Sequence, residues 1–583
     1  MTETLCWLSR LALGFAMVVA ASSTGKAQLS RKPVLRLETG APLAAIKGAA
    51  IDAAARLLVT GGNDKTLRLW SLETGELIRV MRPPIDDGNE GKIYAAALSP
   101  DGKLAIAGGY LGVELMGLLY SLYVFDTETG AVVHRISRMP QVTNTLAWSP
   151  DGRFVAALMA DGHGLRVYRT SDWSEAARDT DFADDAYGLA FDRTGRLAAT
   201  GYDGFVRLYD ANFVRLAKRR APSDGHPASV AFSSDGSRLA LGYHSGTQVD
   251  VLSVPALDSV LAVDTHEFTN GNLSEVAWTS EGALLAGGLY DDGSERRVFR
   301  WADGGRGPRD SFAAAGNTVM TIIGLADGGW LYTTADPSFG RYDAHGTRIL
   351  ERRTRKPIFL DQRDILRLSA DGLTVGFGYE DYGKRPATFS VADRNLAEGD
   401  WPRDLTVADT TGMGITGWAN SRSPKLAGAP IKLDQDENVE AMAEAPDHKS
   451  FVLGGQWYLY RYSADGAQNY QVALDEVAWG VNISRDARLA VVALNDGTIH
   501  WFRYADGEEL LALFVDADGK RWVMWTPAGY YDAGPDSEGM IGWHANNGIN
   551  HEAAFLPSSQ FRDRYDRPGM MGEVLRTLNA TPR

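Results

Sequence analysis

The chain has 583 residues, too many for one ordinary hydrophobic core, so several domains or a repeat array are expected. Against 59 Lys and Arg stand 74 Asp and Glu, a formal net charge of −15. That charge repels phosphate backbones, and with no basic run carrying interleaved aromatics, nucleic acid is excluded as a partner class.

The first predicted element is apolar. Leu11 through Ala21 follows Arg10 and precedes small residues, the pattern of a secretory signal peptide over residues 1–27 with cleavage near Ala27. This run is short for crossing a bilayer, and no later run approaches the required length. No membrane span is therefore expected in the mature chain, which is predicted to be periplasmic or secreted; an uncleaved anchor is the alternative. Cleavage removes Glu3, Arg10 and Lys26, leaving 57 basic against 73 acidic residues. It also removes Cys6, the single cysteine, and with it any disulfide, thiolate metal site or cysteine nucleophile. Next comes a strand, Pro33 to Leu37, which stands before the first complete repeat and is predicted to complete the last blade of a ring.

From there the chain repeats. A turn recurs after a short apolar strand, as Ser99-Pro100-Asp101-Gly102 and Ser149-Pro150-Asp151-Gly152, with looser copies at Gly195, Gly236, Gly282, Gly328 and Gly372. The mean spacing is about 45 residues, the period of propeller blades. Around one such turn lie Thr145 to Trp148, Phe154 to Leu158, an Asp161-Gly162 turn and Leu165 to Tyr168, which implies four short strands per unit. A four-stranded twisted sheet cannot bury both faces alone, and radial stacking about an axis buries them against neighbours. Proline presets φ and glycine tolerates the exit, so these residues are turn chemistry.

Gly61-Gly62-Asn63-Asp64-Lys65-Thr66-Leu67-Arg68-Leu69-Trp70 resembles the second and third strands of a WD40 blade, and Tyr202 to Asp210 and Asn495 to Trp501 repeat it. The resemblance covers most of residues 44–513. It is degenerate, since the opening Gly-His dipeptide is missing and Trp-Asp is replaced by Leu-Trp-Ser or Leu-Tyr-Asp. It implies an all-β fold of two tandem β-propellers with four-stranded antiparallel blades, about twelve to fourteen in total and seven per ring, because one ring holds only about four to eight. The predicted organisation is a first propeller over 28–350, a basic linker over 351–363 containing Pro357, and a second propeller over 364–535. An aromatic-rich extension over 536–583 is predicted to pack on the second propeller. Residues 404–436 match the repeat least well.

Residues 521–568 depart from the repeat, with Trp522, Trp525, Tyr530, Tyr531, Trp543, Phe561 and Tyr565 set among fixed Gly and Pro positions. This stretch is similar to a module of bacterial proteins in which WD40 propellers are joined to a caspase-like peptidase. His163-Gly164 and His345-Gly346 lie in blade turns with no cysteine to serve, so peptidase activity is not implied for this chain.

No local motif carries catalysis. There is no Gly-x-Ser-x-Gly elbow and no P-loop, and His551-Glu552 lacks the second histidine of a zinc helix. Acidic runs at Asp86 to Glu90, Asp291 to Glu295, Asp434 to Asn438 and Asp516 to Gly519 offer hard oxygens for calcium, but such loop tips also serve solubility, which is the reading favoured here. Asp64, Asp203 and Asp496 are expected to accept hydrogen bonds within turns rather than to act as catalytic carboxylates. The aromatics of the final module are expected to form a small core rather than a stacking platform. The triplets beginning at Asn272, Asn482 and Asn579 match glycosylation acceptors by coincidence if the source is bacterial.

No catalytic, cofactor-binding or metal-binding residue is assigned, and no cofactor. The expectation is an exported, monomeric, non-enzymatic scaffold that binds a protein or peptide partner. Alternatives are a propeller enzyme (hydrolase, lyase or quinone-cofactor dehydrogenase) with a site in a ring channel, or the regulatory subunit of a separately encoded caspase-like peptidase.

Overall fold

The computed structural model describes residues 32–112, 119–293, 295–360, 363–434 and 437–580. The signal-peptide prediction over residues 1–27, Cys6 included, lies outside the described residues.

Seven four-stranded antiparallel sheets follow one another over residues 46–81, 93–139, 143–179, 186–220, 227–262, 275–315 and 319–352; they are blades 1 to 7. Within each, strands pair in chain order. Burial follows position in the blade. In blade 3 the second strand, Phe154–Met159, is almost wholly buried, whereas the outermost, Glu175–Asp179, is polar and half-buried. Inner strands are covered on both faces by neighbouring blades, which explains their unbroken apolar runs; outer strands face water and carry charge.

One apolar cluster fills each gap between consecutive blades, and a seventh closes the circle. There Leu58, Trp70 and Leu72 of blade 1 meet Leu325, Leu331 and Phe339 of blade 7, with the Trp70 and Phe339 rings edge to face at 5.1 Å. The innermost strands of blades 7 and 1 also touch. The ring is therefore closed without strand exchange. Close approach of inner strands requires small residues: a Cβ on Gly48 of blade 1 would lie 2.5 Å from the Ala96 nitrogen of blade 2.

The strand around Leu35 joins the chain's two ends, in a terminal sheet rather than in the first ring. Blade 7 supplies all four of its own strands and leaves no vacant edge for Val34–Leu37. That strand instead pairs antiparallel with Ile541–Ala545, whose other edge is taken by Ala554–Pro557. The chain's two ends thus share one small sheet.

The second half holds the remaining sheets. Residues 367–398 and 439–473 form four-stranded sheets, 415–430 a three-stranded one of two-residue strands, and 478–533 a six-stranded one. With the terminal sheet this makes twelve among the described residues, seven in the first ring and five in the second half. The short strands at 415–430 fall where the repeat is weakest. Apolar clusters stack these sheets in the order 415–430, 439–473, 478–533, 367–398, and the helix Met571–Thr577 plugs the last gap through Val574 and Leu575. The basic stretch around Pro357 is docked on both sides: Thr354 Oγ1 donates to the Pro42 carbonyl at 3.1 Å and Arg355 pairs with Asp516 at 3.4 Å.

Candidate functional site at the channel mouth

All innermost strands of the first ring run the same way, so their first residues surround one mouth of the channel. In five blades the second residue of this strand is left out of the ladder by a bulge: Lys47, Tyr94, Asn144, Ala228 and Met320. Blade 4 breaks register over Tyr187 and Gly188. An extra residue at a bulge is unpaired and re-aims its side chain. The turns between second and third strands end at the same face, adding Asn63, Tyr110, Tyr202 and His244.

These residues cluster by chemistry. At blade 2, Tyr94 packs on Tyr110 at 5.3 Å, and Tyr110 on Tyr120 at 5.9 Å. At blades 4 and 5, Tyr202 is met by Tyr187 at 4.8 Å, His226 at 5.0 Å and His244 at 5.3 Å. His226 Nδ1 lies 2.9 Å from the Tyr202 carbonyl, and the Tyr187 hydroxyl donates to Asp185 at 3.2 Å. His226 and His244 are exposed. Partial desolvation by the neighbouring aromatic rings, helped by His226, lowers the pKa of His244. Burial and Asp185 raise the Tyr187 and Tyr202 hydroxyls, which stay protonated donors. Burial alone pushes the Glu275 carboxyl, within electrostatic reach of Tyr202, up to about 8.

The second half covers part of this mouth. Lys65 donates to Asp475 at 3.0 Å, and Lys92 lies 5.1 Å from the centre of the Trp457 ring. Farther out, the terminal segment crosses blade 2: the Tyr123 hydroxyl donates to the Ile549 carbonyl at 2.8 Å, and Glu552 Oε2 accepts from the Val132 amide at 2.9 Å. The extension thus packs on the first ring as well as on the second half. Blades 1 and 2 are roofed, while Tyr202 and the exposed histidines of blade 5 stand outside these contacts.

The residues singled out in the sequence fall elsewhere. Asp64 accepts from the Thr66 amide and hydroxyl and from Arg68; Asp203 accepts from the Phe205 amide and Arg207; Asp496 accepts from the Thr498 amide and hydroxyl. All three brace turns. In the Ser-Pro-Asp-Gly turns Ser99 and Ser149 each donate to the aspartate two residues on, at 2.7 Å, on the opposite face of the ring. The acidic runs do not converge: Asp291 pairs with Arg296, Asp516 and Asp518 share Arg521 and Arg355, Asp434 accepts from Gln471, and the Asp86 carbonyl takes Lys65. Gln435 and Asp436 lie outside the described residues. Among the described residues no three His, Cys, Asp or Glu side chains gather as a metal would need. Trp543, Phe561 and Tyr565 form an internal cluster with Leu35 and Val523, Trp543 and Tyr565 being 4.7 Å apart. Asn272 and Asn482 are buried and donate to backbone carbonyls, a setting closed to glycosylation.

Sequence reasoning missed the mouth residues because bulges leave no motif. The available signal was positional: the bulged residues stand at the start of each repeat's first strand and the others in the turn after its second.

Comparison with known proteins agrees with this architecture. Residues 34–71 and 182–210 match the family described as WD domain, G-beta repeat. Mouse coronin-7 is 32% identical over 113 residues, 19% of this chain and 11% of its own length. Eukaryotic translation initiation factor 3 subunit I of Lodderomyces elongisporus is 25% identical over 124 residues, 19% of this chain and 33% of its own. Mouse telomerase protein component 1 is 24% identical over 254 residues, 43% of this chain and 9% of its own. The chain thus spans a third or less of these relatives. The two matched stretches fall in blades 1 and 4 of the first ring, which the structure closes with seven blades.

Proposed function

We propose that this chain is an exported, monomeric, non-enzymatic WD-repeat scaffold that binds a protein partner across the uncovered part of the first ring's mouth. The observation that carries this reading is the group of Tyr187, Tyr202, His226 and His244, rigidly mounted on adjacent blades and partly open to solvent. Aromatic side chains with polar tips give large contact area at low entropic cost, which is why they anchor interfaces. WD repeats generally mediate association between proteins, in keeping with this choice. Asp184 and Asp185 lie within electrostatic reach of Tyr202, and these acids favour a partner with a basic segment. Export is supported by the apolar run from Leu11 to Ala21.

The test is a pull-down from periplasmic extract with the full chain and with a Tyr202→Ala, His244→Ala variant that keeps the native melting temperature. A partner recovered with the native chain and lost with the variant is expected. Equal recovery, or no recovery together with turnover of a small substrate by the purified protein, would overturn the reading.

A further inference from the structure

Where blades 1 and 7 close the ring, a cavity of about 460 Å³ lies between them. Trp70 of blade 1 and Phe339 and Pro337 of blade 7 line it, and the loop from Thr39 to Pro42 supplies a further wall. The Trp70 indole nitrogen donates to the Thr60 hydroxyl at 2.9 Å, so this ring offers the cavity its apolar surface and no free donor. A Cβ built on Gly40 would meet no atom within 4 Å, which marks open space beside the loop.

Three arginines complete the lining, Arg352 and Arg353 at the end of blade 7 and Arg355 in the stretch leading to the second half. Their charges are unequally engaged. Arg353 Nε is 2.8 Å from Glu351. Arg352 makes no ion pair among the described residues. Its Nε and Nη2 donate to the Gly75 and Thr74 carbonyls at 2.7 and 3.3 Å, which fixes the guanidinium against blade 1 without neutralising it. Arg355 stands 3.4 Å from Asp516 and 3.5 Å from Asp518, but Arg521 holds both acids closer, at 2.5 and 2.7 Å. The Arg355 side chain is 57% exposed. Against these three cations the lining carries one carboxylate, Glu76, which is exposed. In a chain of net charge −15, the cavity is a cationic enclave with apolar walls.

We propose that this cavity binds a carboxylate carried on an apolar body, with Arg352 and Arg355 holding the carboxylate and Trp70, Phe339 and Pro337 covering the body. A guanidinium presents its N–H donors in a planar fork that matches the two oxygens of a carboxylate, and such charge-assisted bonds are the strong kind. Apolar walls with a few placed polar groups are the usual form of a small-ligand site, and this volume falls within the range of such sites. Blade 1, blade 7 and the stretch leading to the second half each supply a wall. Occupancy therefore joins the ring's seam to that stretch and stabilises both by mass action.

The test is isothermal titration calorimetry of the full chain with phenylbutyrate and, separately, with a Gly-Gly-Phe peptide bearing a free C-terminus. Phenylbutanol and the amidated peptide are the uncharged counterparts. Saturable binding of one equivalent of acid is expected, with the counterpart and the Arg355→Gln variant each about tenfold weaker. Lys218→Gln, on the outer strand of blade 4, removes a cation elsewhere and should leave the affinity unchanged. Phenylbutyrate binding alone marks a free acid as the ligand; peptide binding alone marks the C-terminus of a chain. Arg355→Gln should keep the native melting temperature, because Arg521 still holds Asp516 and Asp518; Arg352→Gln is the second variant. Should either variant fail to fold, the native chain's preference for the acid over its counterpart decides. No saturable binding of either acid, equal binding of the counterparts, or affinities unchanged in both arginine variants overturns the proposal.

Discussion

Lys65 of blade 1 and Asp475 of the second half, 410 positions apart, are joined by a hydrogen bond of 3.0 Å, and the same carboxylate accepts from Arg36 at 2.5 Å. One acid therefore gathers the first ring, the N-terminal strand and the second half. Removing it strands the buried Lys65 and the half-buried Arg36. Asp475→Asn is expected to lower stability by about 2 kcal/mol, discounted for the partial exposure of the carboxylate, and Lys65→Met by less, since Arg36 still neutralises the acid. Denaturant midpoints of the two variants check the order.

Acid should loosen the junction beside it. Burial tends to raise the Glu38 carboxyl, but Arg68 and Arg82 outweigh it and hold the pKa at about 2 against an ordinary 4.5. A depressed carboxyl contributes stability that is complete above pH 4.5 and is lost as pH falls toward 2. The contribution is on the order of 3 kcal/mol. Glu38→Gln should be less stable at pH 7 and show a flatter decline between pH 4.5 and 2 in denaturant titrations.

The opposite sign is expected at Glu275. Its folded pKa, pushed up to about 8 by burial, means that the folded state keeps a proton the unfolded chain gives up. Stability from this group is full below pH 4.5 and falls as pH rises through 8. Glu275→Gln should therefore gain on the order of 2 kcal/mol over the native chain at pH 8 and nothing at pH 4.5. Paired melting curves at the two pH values measure the difference.

Ring closure depends on bare backbone at the axis. Gly48→Ala would place a methyl group 2.5 Å from the Ala96 nitrogen and 2.8 Å from the Ala95 carbonyl carbon, atoms that cannot move aside without shifting a blade. A loss of about 2–3 kcal/mol is expected. Gly539→Ala, with no atom within 4 Å, serves as the control and should stay within about 0.5 kcal/mol of the native chain.

Much of the fold was legible because blade turns are local chemistry. Pro100 presets the turn, Asp101 accepts the Lys103 amide at 3.1 Å, and Ser99 closes the loop, all within six residues. The partner of Val34–Leu37 was not legible, since a four-residue strand bears no mark of which edge it will meet. For the same reason the mouth was hidden: Tyr187 and Tyr202 read as ordinary strand aromatics until adjacent blades bring them to 4.8 Å.

The sequence by itself determined the all-β class, the blade period and the role of its turn aspartates, because each rests on contacts between residues close in the chain. Only the tertiary structure decided that seven blades close by apolar contact between Trp70 and Phe339, that the chain's two ends share a sheet, and that Tyr187, Tyr202 and His244 meet at one mouth of the ring. Those outcomes depend on which surfaces are left uncovered after every blade has found its neighbours, a property of the whole ring and of the half docked upon it.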